Sequence, residues 1–261
     1  MPTSSIVKTK DGIEWYVEQQ GNGPHVVMVP SGEGDCASYA KTAAILAKDF
    51  TVTTFDMPGM SRSAVAPLET ITNVTGQMLA TQIHGLLDEL EIEVATIYGC
   101  SSAALAAIFL MINHSEKVQS IIIHEAPLRL MRSIIALQNM DDVEVVKACQ
   151  VTFPEFFNED REAWDALGPE YHARLAKNYV TWIRGYTRLF DDLSWSNEDL
   201  RKRPVTWTIG GKMPAESFYD NAIVATKAGI KIGLLDSKHF PQVSIPEALA
   251  EHIKMAALKY I

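Results

Sequence analysis

Apolar and polar positions along the chain alternate between two periods. "SIVKTKDG" and "IEWYVEQQGNG" switch apolar and polar at every second residue, as half-exposed strands of a hairpin do, while "HVVMVPSGEGD" opens on a solid apolar run suited to a strand covered on both faces. Helix and strand patterns then succeed one another. A helix around "SYAKTAAILAKD" precedes the strand "FTVTTFDMPG", and the helix "TNVTGQMLATQIHGLLDELEI" precedes the strand "VATIYGC". The helix "SSAALAAIFLMINHS" leads to the strand "VQSIIIHEAP". Later come the strand "VTWTIGG", the helix "ESFYDNAIVATKAG", the strand "KIGLLDS" and the closing helix "SIPEALAEHIKMAALKYI". Buried-type strands alternating with helices predict an α/β fold with a mostly parallel, eight-stranded sheet and helices on both faces.

One segment breaks the rhythm. Residues 128–197 carry helical patterns and no strand pattern, and are rich in Phe153, Phe156, Phe157, Trp164, Trp182 and Tyr186. An all-helical insertion between two sheet strands predicts a cap over the strand ends, where open α/β sheets bind ligands. The expected organisation is a core domain of 1–127 and 198–261 with a helical cap of 128–197.

The chemistry is expected at "YGCSSAALAA". A serine on a sharp turn between a parallel strand and a helix needs small residues two before and two after it, because the backbone folds back on itself there. Ser101 has Gly99 and Ala103 in those places, whereas Cys100 would have Tyr98 and Ser102. A serine nucleophile needs a base and an acid to orient it, in the chain order Ser, acid, His on a sheet of this kind. His239, in the loop "DSKHFPQ" after the last strand, is the base candidate. Two places compete for the acid. Glu216 and Asp220 follow the strand after the cap, near a helix start where a carboxylate has a structural use. Glu125 ends "VQSIIIHEAP" at the sheet's catalytic edge, and the pattern favours it. The amides of Ser102 and of Gly32, in the loop "PSGEGD", are the expected oxyanion donors. The loop "DMPGMSRS" reads as structural.

Bulk properties narrow the partners. The 261 residues are 47% hydrophobic and 21% charged, with a net charge of −9, enough for a large core and opposed to a nucleic-acid or acidic-membrane footprint. Three cysteines without a CxxC spacing suit a reducing compartment. No apolar run has the length to cross a bilayer, and the N-terminal residues resemble no signal peptide, so the expectation is a cytoplasmic protein.

The motifs together resemble a known family. The whole chain resembles the α/β-hydrolase superfamily, and more closely the fungal-type zearalenone hydrolases (lactonases). It shares with them "TTFDMPGMSRSA", "GCSS", "HE-P", "HARL-KNY--W-RGY", "ESF-DN---ATKAG--IGLL" and "HFP". The resemblance implies an α/β-hydrolase fold in which Ser101 is the nucleophile, Glu125 the acid and His239 the base. It also implies oxyanion amides at Gly32 and Ser102, and a cap tryptophan, Trp182, against the substrate. Ser31, Leu128, Met131 and Phe153 are expected to join Trp182 in the substrate site, as are Tyr186, Phe218 and Phe240. The implied substrate is a lipophilic macrocyclic lactone, with no cofactor and no metal; a homodimer is compatible with the sequence. Three positions depart from the family pattern: Ala103 where it has Gly, Ser31 where it has Asp, and Glu33 where it has Leu.

Overall fold

Eight strands form one sheet in the order β1-β2-β4-β3-β5-β6-β7-β8 in a computed structural model that describes residues 2–129, 132–191 and 193–261. β1 (Thr3–Lys8) and β2 (Glu14–Gln20) make the antiparallel edge. β3 (His25–Val29), β4 (Thr51–Phe55), β5 (Ala95–Cys100), β6 (Val118–His124), β7 (Val205–Gly210) and β8 (Ile232–Leu235) run parallel. The strand patterns read from the sequence therefore fall where expected. β5 lies between β3 and β6, and all six of its residues are buried. That accounts for its unbroken apolar run and brings its carboxyl end to the middle of the sheet.

α1 (Ala40–Leu46) follows a short 3-10 turn, Cys36–Tyr39, so the first crossover helix starts later than its apolar pattern does. α2 (Gly76–Glu89) also starts late. The Thr75 hydroxyl accepts from the Met78 amide at 3.2 Å and caps it, which leaves "TNV" outside the helix. α3 (Ser102–Asn113) packs on α2 and on β5 and β6. Nine of its residues are buried, so its Ala/Leu composition reflects a helix covered nearly all round rather than an amphipathic one.

Between β6 and β7 the described residues hold only helices: α4 (Arg132–Gln138), α5 (Asp142–Glu155), α6 (Arg161–Asp165) and α7 (Pro169–Gly185), with 3-10 turns at Thr187–Phe190 and Asp199–Arg201. A capping box, Asp141 with Glu144, opens α5. α7 is pinned to the loops that follow β3 and β4. Arg174 Nε meets Asp35 Oδ2 at 2.6 Å, and Asn178 Nδ2 donates to the Glu33 carbonyl at 2.7 Å. The Ser61 amide donates to Asn178 Oδ1 at 2.8 Å. Within "DMPGMSRS" Arg62 Nε meets Asp56 Oδ2 at 2.7 Å, and its Nη2 reaches Asp35 Oδ1 in the β3 loop at 3.3 Å, so this stretch joins the two loops. α8 (Ala215–Ala228), a short α9 (Pro241–Ser244) and α10 (Pro246–Ala257) complete the chain. Among the described residues, no helix is long and apolar enough to cross a membrane.

Candidate active site

The turn after β5 is strained at Ser101, whose φ of 58° and ψ of −130° lie where L-residues rarely sit. The Ser101 amide donates to the His124 carbonyl at 2.9 Å and so continues the pairing of β5 with β6. The chain then reverses into α3. A Cβ at Gly99 would stand 2.4 Å from the Ala103 carbonyl oxygen, which is why the position two before the serine tolerates no side chain. Ala103 is itself buried, and its methyl is accommodated within the helix start.

A second strained residue stands one strand away. Glu125 has φ 48° just past the end of β6, with its amide donating to the Thr208 carbonyl at 3.0 Å. That backbone turn directs its carboxylate along the sheet edge. Oε2 accepts from His239 Nδ1 at 2.5 Å, and Oε1 accepts from the Gly210 amide at 2.7 Å. A Cβ at Gly210 would lie 3.0 Å from Oε1 and 2.6 Å from the Ser237 carbonyl, so a glycine there lets the acid seat. Burial works to raise the Glu125 pKa, but the His239 hydrogen bond and charge, His124 and the Gly210 amide outweigh it and leave the carboxyl below its ordinary value. His124, fully buried and bonded to the Thr208 hydroxyl at 3.0 Å, is pushed down to about 4 by burial and stays neutral.

Glu216 is exposed, and Asp220 lies 3.5 Å from Arg129, so neither of the competing carboxylates meets His239. The His239 loop is held from three directions. Its amide donates to the Phe157 carbonyl at 3.0 Å, the Cys100 thiol donates to its carbonyl at 3.0 Å, and the Phe218 ring stacks on the imidazole at 5.0 Å between centroids. Burial drives the Cys100 thiol well above its ordinary pKa, which removes it as a nucleophile and leaves it a positioning role.

A cavity of about 20 Å³ joins these groups, room for roughly one water. Ser31, Gly32 and Ser101 line its floor with His239, and Phe153, Trp182 and Phe240 form part of its apolar wall. The Ser101 hydroxyl makes no hydrogen bond among the described residues, a common state before substrate aligns the pair. A Cβ at Gly32 would come 2.8 Å from the Trp182 ring, and the buried Trp182 Nε1 has no partner among the described residues, so an indole donor faces the expected oxyanion loop.

The expected wall residues divide. Phe218 is not among the cavity's lining residues and instead backs His239. Tyr186 is also absent from the lining: it is fully buried and its hydroxyl donates to the Pro58 carbonyl at 2.7 Å, fixing the cap to the core. Leu128 packs against the core outside the cavity, and Met131 lies outside the described residues. Pro127, Ile134, Phe157 and Phe190 complete the wall. Phe157 belongs to the aromatic cap run, whereas nothing in the sequence marks Pro127, Ile134 or Phe190.

In the loop after β3 sits Glu33, 1% exposed. Oε1 accepts from Ser38 Oγ and from Gln242 Nε2, each at 3.4 Å, while Oε2 has no partner among the described residues. Burial pushes this carboxyl up to about 7.

Comparison with known proteins agrees with the fold. A family model described as the alpha/beta hydrolase fold matches residues 24–220. A zearalenone hydrolase of Bionectria ochroleuca is 43% identical over the full length of both chains. Another, of Cladophialophora bantiana, is 42% identical over 98% of this chain and 97% of its own. Among solved structures, carboxylesterase CesB from Bacillus subtilis superposes with a TM-score of 0.75 at 14% identity, covering 100% of this chain and 93% of its own. The enol-lactonase from Burkholderia xenovorans LB400 superposes with a TM-score of 0.74 at 19% identity, covering 97% and 98%. Likeness at that identity speaks for the fold alone.

Proposed function

Since the chain belongs to the α/β-hydrolase fold family and, within it, to the zearalenone hydrolases, and is thus an ester-hydrolysing enzyme, we propose that it opens the macrocyclic lactone ester of zearalenone and related resorcylic acid lactones through Ser101, His239 and Glu125. The observation that carries the substrate is the full-length 43% identity to a protein named zearalenone hydrolase. The reaction step is supported by the bond from His239 Nδ1 to Glu125 beside a serine on a strained turn.

The chemistry follows from those positions. Ser101 Oγ attacks the ester carbonyl while His239 Nε2 takes its proton, and the ionised Glu125 steadies the resulting imidazolium through Nδ1. The lactone ring opens when the tetrahedral intermediate expels the alcohol, to which His239 returns the proton. The acyl chain and the alcohol remain one molecule, esterified to Ser101, until water deprotonated by His239 releases the hydroxy acid. The Gly32 and Ser102 amides hold the carbonyl oxygen as it gains charge. Trp182 Nε1 supplies a further donor at the cavity, and the aromatic wall accepts the apolar ring.

A site of about 20 Å³ is closed to such a ligand, since drug-sized molecules occupy roughly 300 Å³ or more. The cap wall must therefore open before the lactone enters. Incubation with zearalenone, followed by chromatography, tests the reading. The expected result is ring-opened product formed with a higher kcat/KM than any of a panel of p-nitrophenyl esters. Rapid cleavage of the simple esters with the lactone left intact would make the protein a general carboxylesterase instead.

A further inference from the structure

His124 closes β6, is fully buried, and takes no part in the steps above. It nevertheless touches every segment that carries a group of the proposed triad. Its carbonyl accepts from the Ser101 amide at 2.9 Å, and the chain passes from it directly into Glu125. Its ring reaches the third segment. Nε2 is 3.4 Å from the carbonyl of Lys238, the residue before His239, and Nδ1 is 3.0 Å from Thr208 Oγ1 on β7.

These partners fix the ring's tautomer. A carbonyl oxygen only accepts, so Nε2 carries the proton and donates to Lys238, which leaves Nδ1 to accept. The Thr208 hydroxyl donates to Nδ1 at 3.0 Å, nearer than its other acceptor, the Ile123 carbonyl at 3.3 Å. Burial keeps the imidazole neutral. Glu125 Oε2 lies 3.9 Å from Nε2, beyond hydrogen-bond reach, so the ring acts through the His239 loop rather than on the acid.

The other ties of that loop divide between core and cap. On the core side the Cys100 thiol donates to the His239 carbonyl, and the Lys212 amide donates to the Ser237 carbonyl at 3.0 Å. On the cap side the His239 amide donates to the Phe157 carbonyl at 3.0 Å, and the Lys238 amide donates to Glu159 Oε2 at 2.9 Å. Lys238 Nζ also donates to the Glu155 carbonyl at 2.8 Å. Opening the cap wall pulls on the loop through these last bonds. The His124 ring grips Lys238, which the cap holds by both its amide and its side chain.

We infer that His124 is a positioning residue, whose ring, oriented by Thr208, holds the Lys238 carbonyl and so keeps His239 in register with Glu125 and the Ser101 turn. This role presupposes the triad proposed above.

Labelling of the full-length protein with a p-nitrophenyl alkylphosphonate tests it. Ser101 Oγ displaces p-nitrophenolate from phosphorus, so the rate reads activation of the serine without any lactone. Glutamine can present its Nε2 donor to Lys238, whereas asparagine reaches only the Thr208 side. His124→Asn should lower the second-order labelling rate about 10- to 100-fold, and His124→Gln should stay within about threefold of the parent. The proton between His239 Nδ1 and Glu125 should give a far-downfield NMR resonance in the parent and in His124→Gln, and lose it in His124→Asn. Circular dichroism checks that each variant is folded. Thr208→Val removes only the hydroxyl that orients the ring, and should slow labelling in the same direction even if His124→Asn does not fold. Parent-like labelling of Thr208→Val and of folded His124→Asn, His124→Gln as slow as His124→Asn, or a slowed His124→Asn with its resonance intact would each reduce His124 to a packing residue. A parent protein left unlabelled at Ser101 is a separate result, which would overturn the triad and this role with it.

Discussion

Glu33→Gln isolates the effect of a carboxyl buried beside the Ser31–Gly34 loop. The Glu33 carboxyl is buried in the loop after β3, one of its oxygens has no partner among the described residues, and burial raises it from 4.5 to about 7. Between those two values the folded protein holds a proton that the unfolded chain has released. Stability is therefore complete below about pH 4.5 and falls as pH rises toward 7. At about 1.4 kcal/mol per pH unit, the loss is about 3 kcal/mol by pH 8. Glutamine has nearly the same shape and cannot ionise, so Glu33→Gln removes this loss. Thermal unfolding of both proteins at pH 5 and pH 8 gives the measurement. About 2.5 kcal/mol of that loss falls between pH 5 and pH 8, so at about 2–4 °C per kcal/mol for a domain of this size the variant's Tm relative to the parent should rise by roughly 5–10 °C between the two conditions. Every other titrating group is common to both proteins and cancels in that difference. The same pH dependence in both would mean that Glu33 does not hold its proton, and that the carboxylate finds a cation or water not apparent in its surroundings.

Other expectations follow from the site. Glu125→Gln should lower kcat on the order of 10⁴-fold, because the amide cannot hold the imidazole in its working tautomer, whereas Glu216→Gln should leave kcat within about twofold; the reverse order, read by steady-state kinetics, would move the acid to the β7 side. Gly99→Ala should give a protein that does not turn over, since its methyl meets the Ala103 carbonyl at 2.4 Å, while Ala103→Gly should change kcat modestly and keep the reaction. Loss of all activity in Ala103→Gly would mean that the turn depends on the Ala103 methyl and that its geometry has been misread. Gly32→Ala should impair activity and displace Trp182, whose ring lies 2.8 Å from the new methyl, with tryptophan fluorescence reporting the displacement. An unchanged spectrum with unchanged rate would detach the cap tryptophan from the oxyanion loop.

The strand positions and the serine turn were legible because both depend on local pattern. Six buried residues in β5 leave an apolar run, and a tight reversal leaves small residues at Gly99 and Ala103. The acid was harder to read, because Glu125 and His239 are 114 residues apart and meet only through strand register and a positive φ. The cap wall was legible only as a composition. Which aromatic faces the cavity depends on how each helix is rotated, so Tyr186 turns to Pro58 and Phe218 backs the histidine, while Ile134 and Phe190 face inward. Glu33, a charged residue in a glycine-rich loop, has the local signature of an exposed position. Only the packing of Ser38 and Gln242 around it accounts for its burial.

The central claim is that Ser101 is the nucleophile that opens the lactone. Its most direct test compares wild type and Ser101→Ala with zearalenone in one experiment, following ring opening by chromatography and ligand binding by tryptophan fluorescence. The expected result is that the variant binds the lactone with near wild-type affinity and loses turnover by about 10⁴-fold or more. Ring opening by Ser101→Ala at near the wild-type rate would contradict it.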